Sequence, residues 1–422
     1  MFKQYMITRY MALRHASKDE KPVSLLAKAA LWQGYQRIPE GDAVYVRAQF
    51  LKALRRECWR RGVNLGKIFG NHRLDSPEVA SVGQAMDMAR ELCDQHLSAG
   101  MCLYFYFVTF GSYQAAQAIR GILAERSRYK LECASGIQHH PALYFLAMEE
   151  DEPCAVMSRF AVDYASQRDA QLPKKHAQSL RALSFLYKRT CVEEIPCVER
   201  TSDTSSSLTI VGPGYNISRE YHILDTVSPI AKMNVIPSSG SERSAYSASP
   251  DYLFANNDVL AEKGLQLQRL RGVKVFSMLD GKAIVKKHGV DFSPQGFRNA
   301  TRPNHLLLFG TCTAVQTVAW FALTSLGFSS VKVVGVNFYT GSQLHENAEH
   351  YSRHKGWASA VIIRRHDPLS NFHLSRILSR AGLFKMAGVN QGVLDLPPDQ
   401  YASLLDQRLG PDTMLTKPRA SG

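Results

Sequence analysis

One histidine, one tyrosine and a set of amides, hydroxyls and glycines are the groups in this 422-residue chain that could do chemistry. His366 titrates near neutrality and suits a general base, although a structural histidine beside Arg364 and Arg365 has the same sequence signature. Asn337 and Tyr339 stand two apart in GVNFY (335–339). Gly212 and Gly214 frame IVGPG (210–214), where a missing Cβ would let backbone N–H groups approach an anion; an ordinary turn reads the same way. Asn234, Asn256, Thr311 and Thr313 complete the set, the two asparagines also being good turn formers. This inventory is polar and neutral, and it suits hydrogen bonding to a nucleotide and its ribose. It does not suit capture of a divalent cation, because no Asp-x-Asp occurs and carboxylates are scarce around these positions. His345, His350 and His354 lack a supporting carboxylate pattern and read as loop residues.

These groups fall at the ends of short apolar runs, which are the elements that must position them. Val331, Val333, Val334 and Val336 form a β-branched run expected to be a strand buried on both faces. Thr313–Leu326 before it has helix length and is closed by Gly327 as a C-cap. Strands are likewise expected at Leu208–Val211, Ile230–Ile236, Tyr252–Asn257, Val273–Met278 and His305–Phe309, with a helix at Val259–Arg271. Strand and helix alternate, so 208–395 is expected to be an α/β domain with a doubly wound parallel sheet, and its ligand groups lie at strand C-termini. A dinucleotide fingerprint is disfavoured: Ile217 replaces the third glycine, and Asn234 stands where an acid would hold the ribose.

Residues 1–200 read as a mainly helical basic domain, with helices at Ser24–Trp32, Ala43–Arg61, Ser76–Leu97, Ser112–Arg126 and Gln171–Tyr187. The run Cys102–Phe110 (CLYFYFVTF) is expected to be a buried strand. A polar linker, Thr201–Ser207, separates the two halves. A tail at 396–422 holds one short helix, Gln400–Arg408. The eight cysteines include no CxxC pair, which points to reduced, packed thiols. The net charge of +14 implies a negative partner. Arg55, Arg56, Arg60 and Arg61 in LKALRRECWRR fit either a solvated helix face or a basic amphipathic surface on anionic lipid. No RNA-binding motif is present, so nucleic acid is not expected as a partner. No run reaches the roughly 18 to 20 apolar residues of a membrane helix, and no signal-peptide pattern opens the chain. The expected location is cytoplasmic, with a peripheral place at the inner membrane if the basic surface meets lipid.

Taken in order, IVGPG, Asn234, Asn256 in LFAN, the Thr311–Thr313 helix start, GVNFY and His366 followed by DPLSNFHLSRIL resemble the bacterial lipooligosaccharide sialyltransferases. The resemblance covers 208–380. It implies a GT-A-like variant of the Rossmann fold and a metal-independent, inverting transfer of sialic acid, or a related nonulosonic acid, from a CMP-linked donor to a cell-surface glycan. It further implies that His366 deprotonates the acceptor hydroxyl and that Tyr339 hydrogen-bonds the departing CMP phosphate. The remaining named groups, from Gly212 and Gly214 to Asn337, would contact the donor. A second phosphate-binding tyrosine is not evident, and His345 or Tyr351 could take its place.

The chain departs from that pattern at Pro213, where the family has asparagine, at Asn337, where it has aspartate, and at an arginine missing before Thr311. These departures admit another CMP-linked nonulosonic acid or a different nucleotide sugar as donor. Two alternatives stand beside the resemblance. One is a flagellin-type or other nucleotide-sugar transferase; the other is a non-catalytic α/β scaffold with a partner-binding helical domain.

Overall fold

Among the described residues the second half forms seven strands, all paired in parallel: β1 (Ser207–Val211), β2 (Ile230–Met233), β3 (Tyr252–Phe254), β4 (Lys274–Ser277), β5 (Arg298–Asn299), β6 (Ser330–Val334) and β7 (Phe384–Met386). In this computed structural model the described residues are 82–95, 100, 103–104, 107–108, 111–133, 207–212, 228–233, 250–255, 272–277, 298–299, 315–340, 367–380, 382–387 and 391–409. The strand order is β5-β4-β3-β2-β1-β6-β7. From β1 the chain therefore steps outward to β5 and then returns to the other side of β1 for β6 and β7. Near-continuous burial along β1 and β3 is what a parallel strand packed on both faces requires.

Register and alternation divide the sheet into two unlike faces. One carries Tyr252, Phe254 and Phe276 as a row of rings. Phe254 and Phe276 stack at 5.0 Å and Tyr252 and Phe276 at 6.2 Å. Helix α1 (Val315–Phe321) sets Phe321 edge-on to Phe254 and Phe276, and Phe328 meets Tyr252 in the same way. Such offset and edge-to-face contacts satisfy the ring quadrupoles. The other face carries Thr209, Val211, Lys232, Leu253, Val275, Lys332 and Lys385, placed together by register.

α1 passes into a π-helical turn, Ala322–Leu326, and stops at Gly327, whose φ of 79° and bond to the Ala322 carbonyl make the expected C-cap. Helix α2 (Pro368–Arg380) links β6 to β7 and is buried along nearly its whole length. A 3-10 turn, Gln391–Asp395, precedes the last helix, α3 (Pro398–Leu409).

Strands β1, β2, β3, β4 and β6 lie where the apolar runs place them. The strand expected at His305–Phe309 and the helices at Ser24–Trp32, Ala43–Arg61, Gln171–Tyr187 and Val259–Arg271 fall outside the described residues.

The chain divides into two compact units. One is Met1–Glu150, Cys154–Phe160 and Pro398–Gly422; the other is Asp151–Pro153 and Ala161–Pro397. Among the described residues the first unit is helical, built on Val82–Gln95, Tyr113–Cys133 and α3. The expected strand at Cys102–Phe110 is corrected: Leu103, Tyr104, Phe107 and Val108 are helical, and all four are buried. Their spacing is that of one helix face, so packing overrides the strand preference of the aromatics. Arg120 donates to the Tyr104 hydroxyl at 3.3 Å and lies over its ring. No helix among the described residues is long and apolar enough to cross a membrane.

The closing helix packs against Tyr113–Cys133 and caps it. The Asp406 carboxylate accepts the amide N–H of Tyr113 and that of Gln114, the latter at 2.9 Å, so an acid nearly 300 positions away takes the role expected of a local cap. Ser112, the local candidate, leaves its buried hydroxyl without a partner among the described residues. Two orphan helix donors and the helix dipole depend on one carboxylate. Asp406→Ala is expected to cost about 1–2 kcal/mol in urea melts, and Asp406→Asn less, because the amide oxygen still accepts one bond.

Candidate functional site

The reversal of strand order puts β1 and β6 side by side with their connections leaving in opposite directions, which is where open parallel sheets form a crevice. Gly212 and Gly335 line that point. The Gly212 N–H donates to the Val334 carbonyl at 2.8 Å. A Cβ on Gly212 would lie 2.3 Å from the Val336 Cγ2 and 2.5 Å from the Gly335 carbonyl oxygen, so only glycine fits this approach. Gly335 itself has a φ of 67°.

Directly beyond, Asn337–Thr340 forms a tight turn. The Asn337 Oδ1 accepts the Tyr339 N–H at 2.9 Å, and its carbonyl accepts the Thr340 N–H at 2.9 Å and the Thr340 hydroxyl at 2.7 Å. Both central residues are left-handed, Phe338 at a φ of 48° and Tyr339 at 65°. Left-handed aromatics are rare, each costing on the order of 1–3 kcal/mol, and such strain concentrates at functional sites. Here it has a visible support. Phe338 is 3% exposed and its ring meets Phe372 of α2 edge-on at 6.4 Å, which anchors the turn and leaves Tyr339 half-buried beside it.

The start of α2 faces the same edge, because a helix joining parallel strands begins where the first strand ends. Asp367 caps it. Its Oδ1 accepts the Ser370 N–H at 3.2 Å, its Oδ2 the Ser370 hydroxyl at 2.7 Å, and its carbonyl the Asn371 N–H at 3.1 Å. Asp367 is 2% exposed with a φ of 49°, and Pro368 occupies the first helical position. The residue that follows His366 is therefore held rigidly.

Of the residues singled out by sequence, Gly212, Asn337 and Tyr339 come together at the switch point. Gly214, Asn234, Asn256, Thr311, Thr313, His345, Tyr351 and His366 lie outside the described residues. The strand ends leading to two of them, Met233 of β2 and Phe254 of β3, lie at the same edge of the parallel sheet.

Three residues that carry no site motif also shape this region. Phe338 supplies the anchor of the strained turn. Asp367 was legible as an Asp-Pro-x-Ser helix start. Lys232 interrupts the apolar run IAKM; it is 1% exposed, and burial pushes its ammonium down from 10.5 to about 8. At the opposite edge the Asp251 carboxylate accepts the Ile230 N–H, and burial together with that acid raises the Tyr252 phenol.

No protein-family model matches the chain significantly, and neither does any curated protein or solved structure.

Proposed function

We propose that the crevice between β1 and β6 binds the nucleotide of a CMP-linked sugar, and that the chain transfers that sugar, a sialic or related nonulosonic acid, to a glycan acceptor. The observation that carries this reading is the strained Asn337–Thr340 turn beside Gly212 at the reversal of strand order. Backbone N–H groups, an amide and a phenol at that point are donors, and donors are what a phosphate leaving group needs. The fold on this reading is a GT-A-like variant of the Rossmann sheet.

In the transfer, the acceptor oxygen forms its bond to the anomeric carbon as the bond from that carbon to the CMP phosphate breaks, with inversion. His366 takes the acceptor proton, and the charge left on the phosphate meets the Tyr339 hydroxyl. No metal takes part in this scheme, so turnover should survive EDTA. The basic segment around Arg55–Arg61 would hold the chain at the inner membrane, near lipid-linked acceptors.

Thermal shift with CMP, UMP and GMP tests binding, and release of CMP from CMP-sialic acid tests chemistry. CMP should raise the melting temperature and the other two should not; a flat response to CMP sinks the reading. Tyr339→Phe should cut turnover tenfold or more with the melting temperature unchanged. Tyr339→Gly separates strain from chemistry: the left-handed φ costs glycine nothing, so this variant should gain about 1 kcal/mol in urea melts while losing turnover as well.

A further inference from the structure

The turn after β6 and the helix α2 meet through a pair of rings. The turn Asn337–Thr340 is closed by the Thr340 N–H on the Asn337 carbonyl, and both of its central residues have positive φ. That sign pattern is the mirror image of the common type I turn, and glycine, asparagine and aspartate dominate it. Phenylalanine and tyrosine meet a steric penalty there that the right-handed form would spare them.

The hydrogen bond that closes the turn does not select its hand. A bond from the fourth residue to the first carbonyl closes both mirror forms, and asparagine is favoured at the first position of the right-handed one. The choice of hand therefore lies in what surrounds the turn. Phe338 is buried, and its ring meets Phe372 edge-on at 6.4 Å. The two hands send the Phe338 ring in different directions, and an edge-to-face contact favours only one of them. Phe372 is itself well fixed. It is fully buried on α2, a helix that packs against β7. Asp367 caps the first turn of α2, and Arg376 further along it donates to the Leu396 carbonyl at 3.2 Å. Next to the anchored Phe338, Tyr339 is half-buried.

We infer that Phe372 is a positioning residue: acting through the Phe338 ring, it selects the left-handed form of the turn and so fixes where the Tyr339 hydroxyl stands. The inference rests on reading Tyr339 as the donor to the departing phosphate, and it extends that site into the interior of α2. Relaxation of the turn to the right-handed form would carry the phenol away from its place without unfolding the sheet.

Steady-state release of CMP from CMP-sialic acid by the full chain, by Phe372→Leu and by Phe338→Leu tests this. Each variant removes one ring and keeps a sizeable apolar side chain. Each should lower kcat by about tenfold or more and leave KM within about twofold, because Tyr339 meets a charge that develops only in the transition state. The double variant should be no slower than either single one, and Phe372→Leu should add nothing to Tyr339→Phe. A general loosening of the fold would multiply the losses, and that result overturns the inference. A second readout does not depend on turnover. With the tyrosines isotopically labelled and Tyr339 assigned by its loss in Tyr339→Phe, the carbon shifts of Tyr339 should report a left-handed backbone in the wild type and change in both ring variants. Unchanged shifts in Phe372→Leu also overturn the inference. If the wild type releases no CMP, the nucleotide-sugar reading fails, and the shifts alone decide whether Phe372 sets the turn. If neither ring variant folds, the rings are holding the sheet unit together and the inference is wrong.

Discussion

Replacing Gly212 by alanine is expected to destabilise the sheet by about 3 kcal/mol or more and to abolish nucleotide binding. The new methyl group would stand 2.3 Å from the Val336 Cγ2, a contact that a rotamer change could relieve. It would also stand 2.5 Å from the Gly335 carbonyl oxygen, which has no such freedom, because the Gly212 N–H is bonded to Val334 one residue earlier. The only escape is for β1 and β6 to part at their C-terminal ends, which breaks that bond and opens the crevice. Overpacking of well-packed sites costs about 1–3 kcal/mol when side chains can adjust, and a backbone-limited clash belongs at the top of that range or beyond it. Gly121→Ala is the control. Gly121 lies within the helix Tyr113–Cys133 with nothing within 4 Å of an added Cβ, so the same substitution should stabilise by roughly 0.5–1 kcal/mol. Equilibrium urea melts of both variants, with CMP titrations of the first, check the pair; a Gly212→Ala protein as stable as the wild type would mean that the strands do not meet as described.

Lys232→Met should act in the opposite direction and depend on pH. Lowering the ammonium from 10.5 to about 8 corresponds to roughly 3 kcal/mol at about 1.4 kcal/mol per pH unit. Below pH 8 the lysine is protonated in both folded and unfolded chains, and the folded state bears the full penalty. Between 8 and 10.5 the folded chain releases a proton that the unfolded chain keeps, so wild-type stability rises across this window. The methionine variant lacks that rise. Its advantage should be about 3 kcal/mol at pH 7, shrink from pH 8 upward and vanish near 10.5. The raised Tyr252 phenol makes both proteins less stable above about pH 10. That contribution is common to the two and cancels in the difference. An advantage independent of pH would show that packing, and not charge burial, distinguishes the variants.

The parallel sheet was legible because its strands are buried on both faces, and such strands appear as unbroken apolar runs. Leu208–Val211 falls within a residue of β1, and the run Val331–Val336 begins one residue inside β6 and overruns its end by two residues. Strand β7 was not legible: three residues at the edge of the sheet, with Lys385 exposed in the middle, make no run at all. Cys102–Phe110 misled because its aromatics favour strands in isolation, and only the burial of Leu103, Tyr104, Phe107 and Val108 on one side reveals a helix. At the site, Gly212, Asn337 and Tyr339 could be read from residue type and position. The left-handed backbone of Phe338 and Tyr339 could not, because neither residue type favours it and the ring that Phe338 packs against, Phe372, is more than 30 positions away. Lys232 was hidden for a related reason. A lysine in an apolar run reads as a solvent-reaching side chain until the register places its strand inside the sheet.

The Asp406 cap has a consequence for how the protein is made. Its two acceptor oxygens serve amides at positions 113 and 114, and the whole sheet is synthesised between them. A ribosome delivers Tyr113–Cys133 long before α3 exists, so this helix emerges with its first donors uncapped and the surface that α3 covers exposed. Among the described residues the last strand of the sheet ends at Met386, so these strands are all made before α3. Domains that finish in this order depend on late, long-range contacts, which form slowly and leave apolar surface open to aggregation in the meantime.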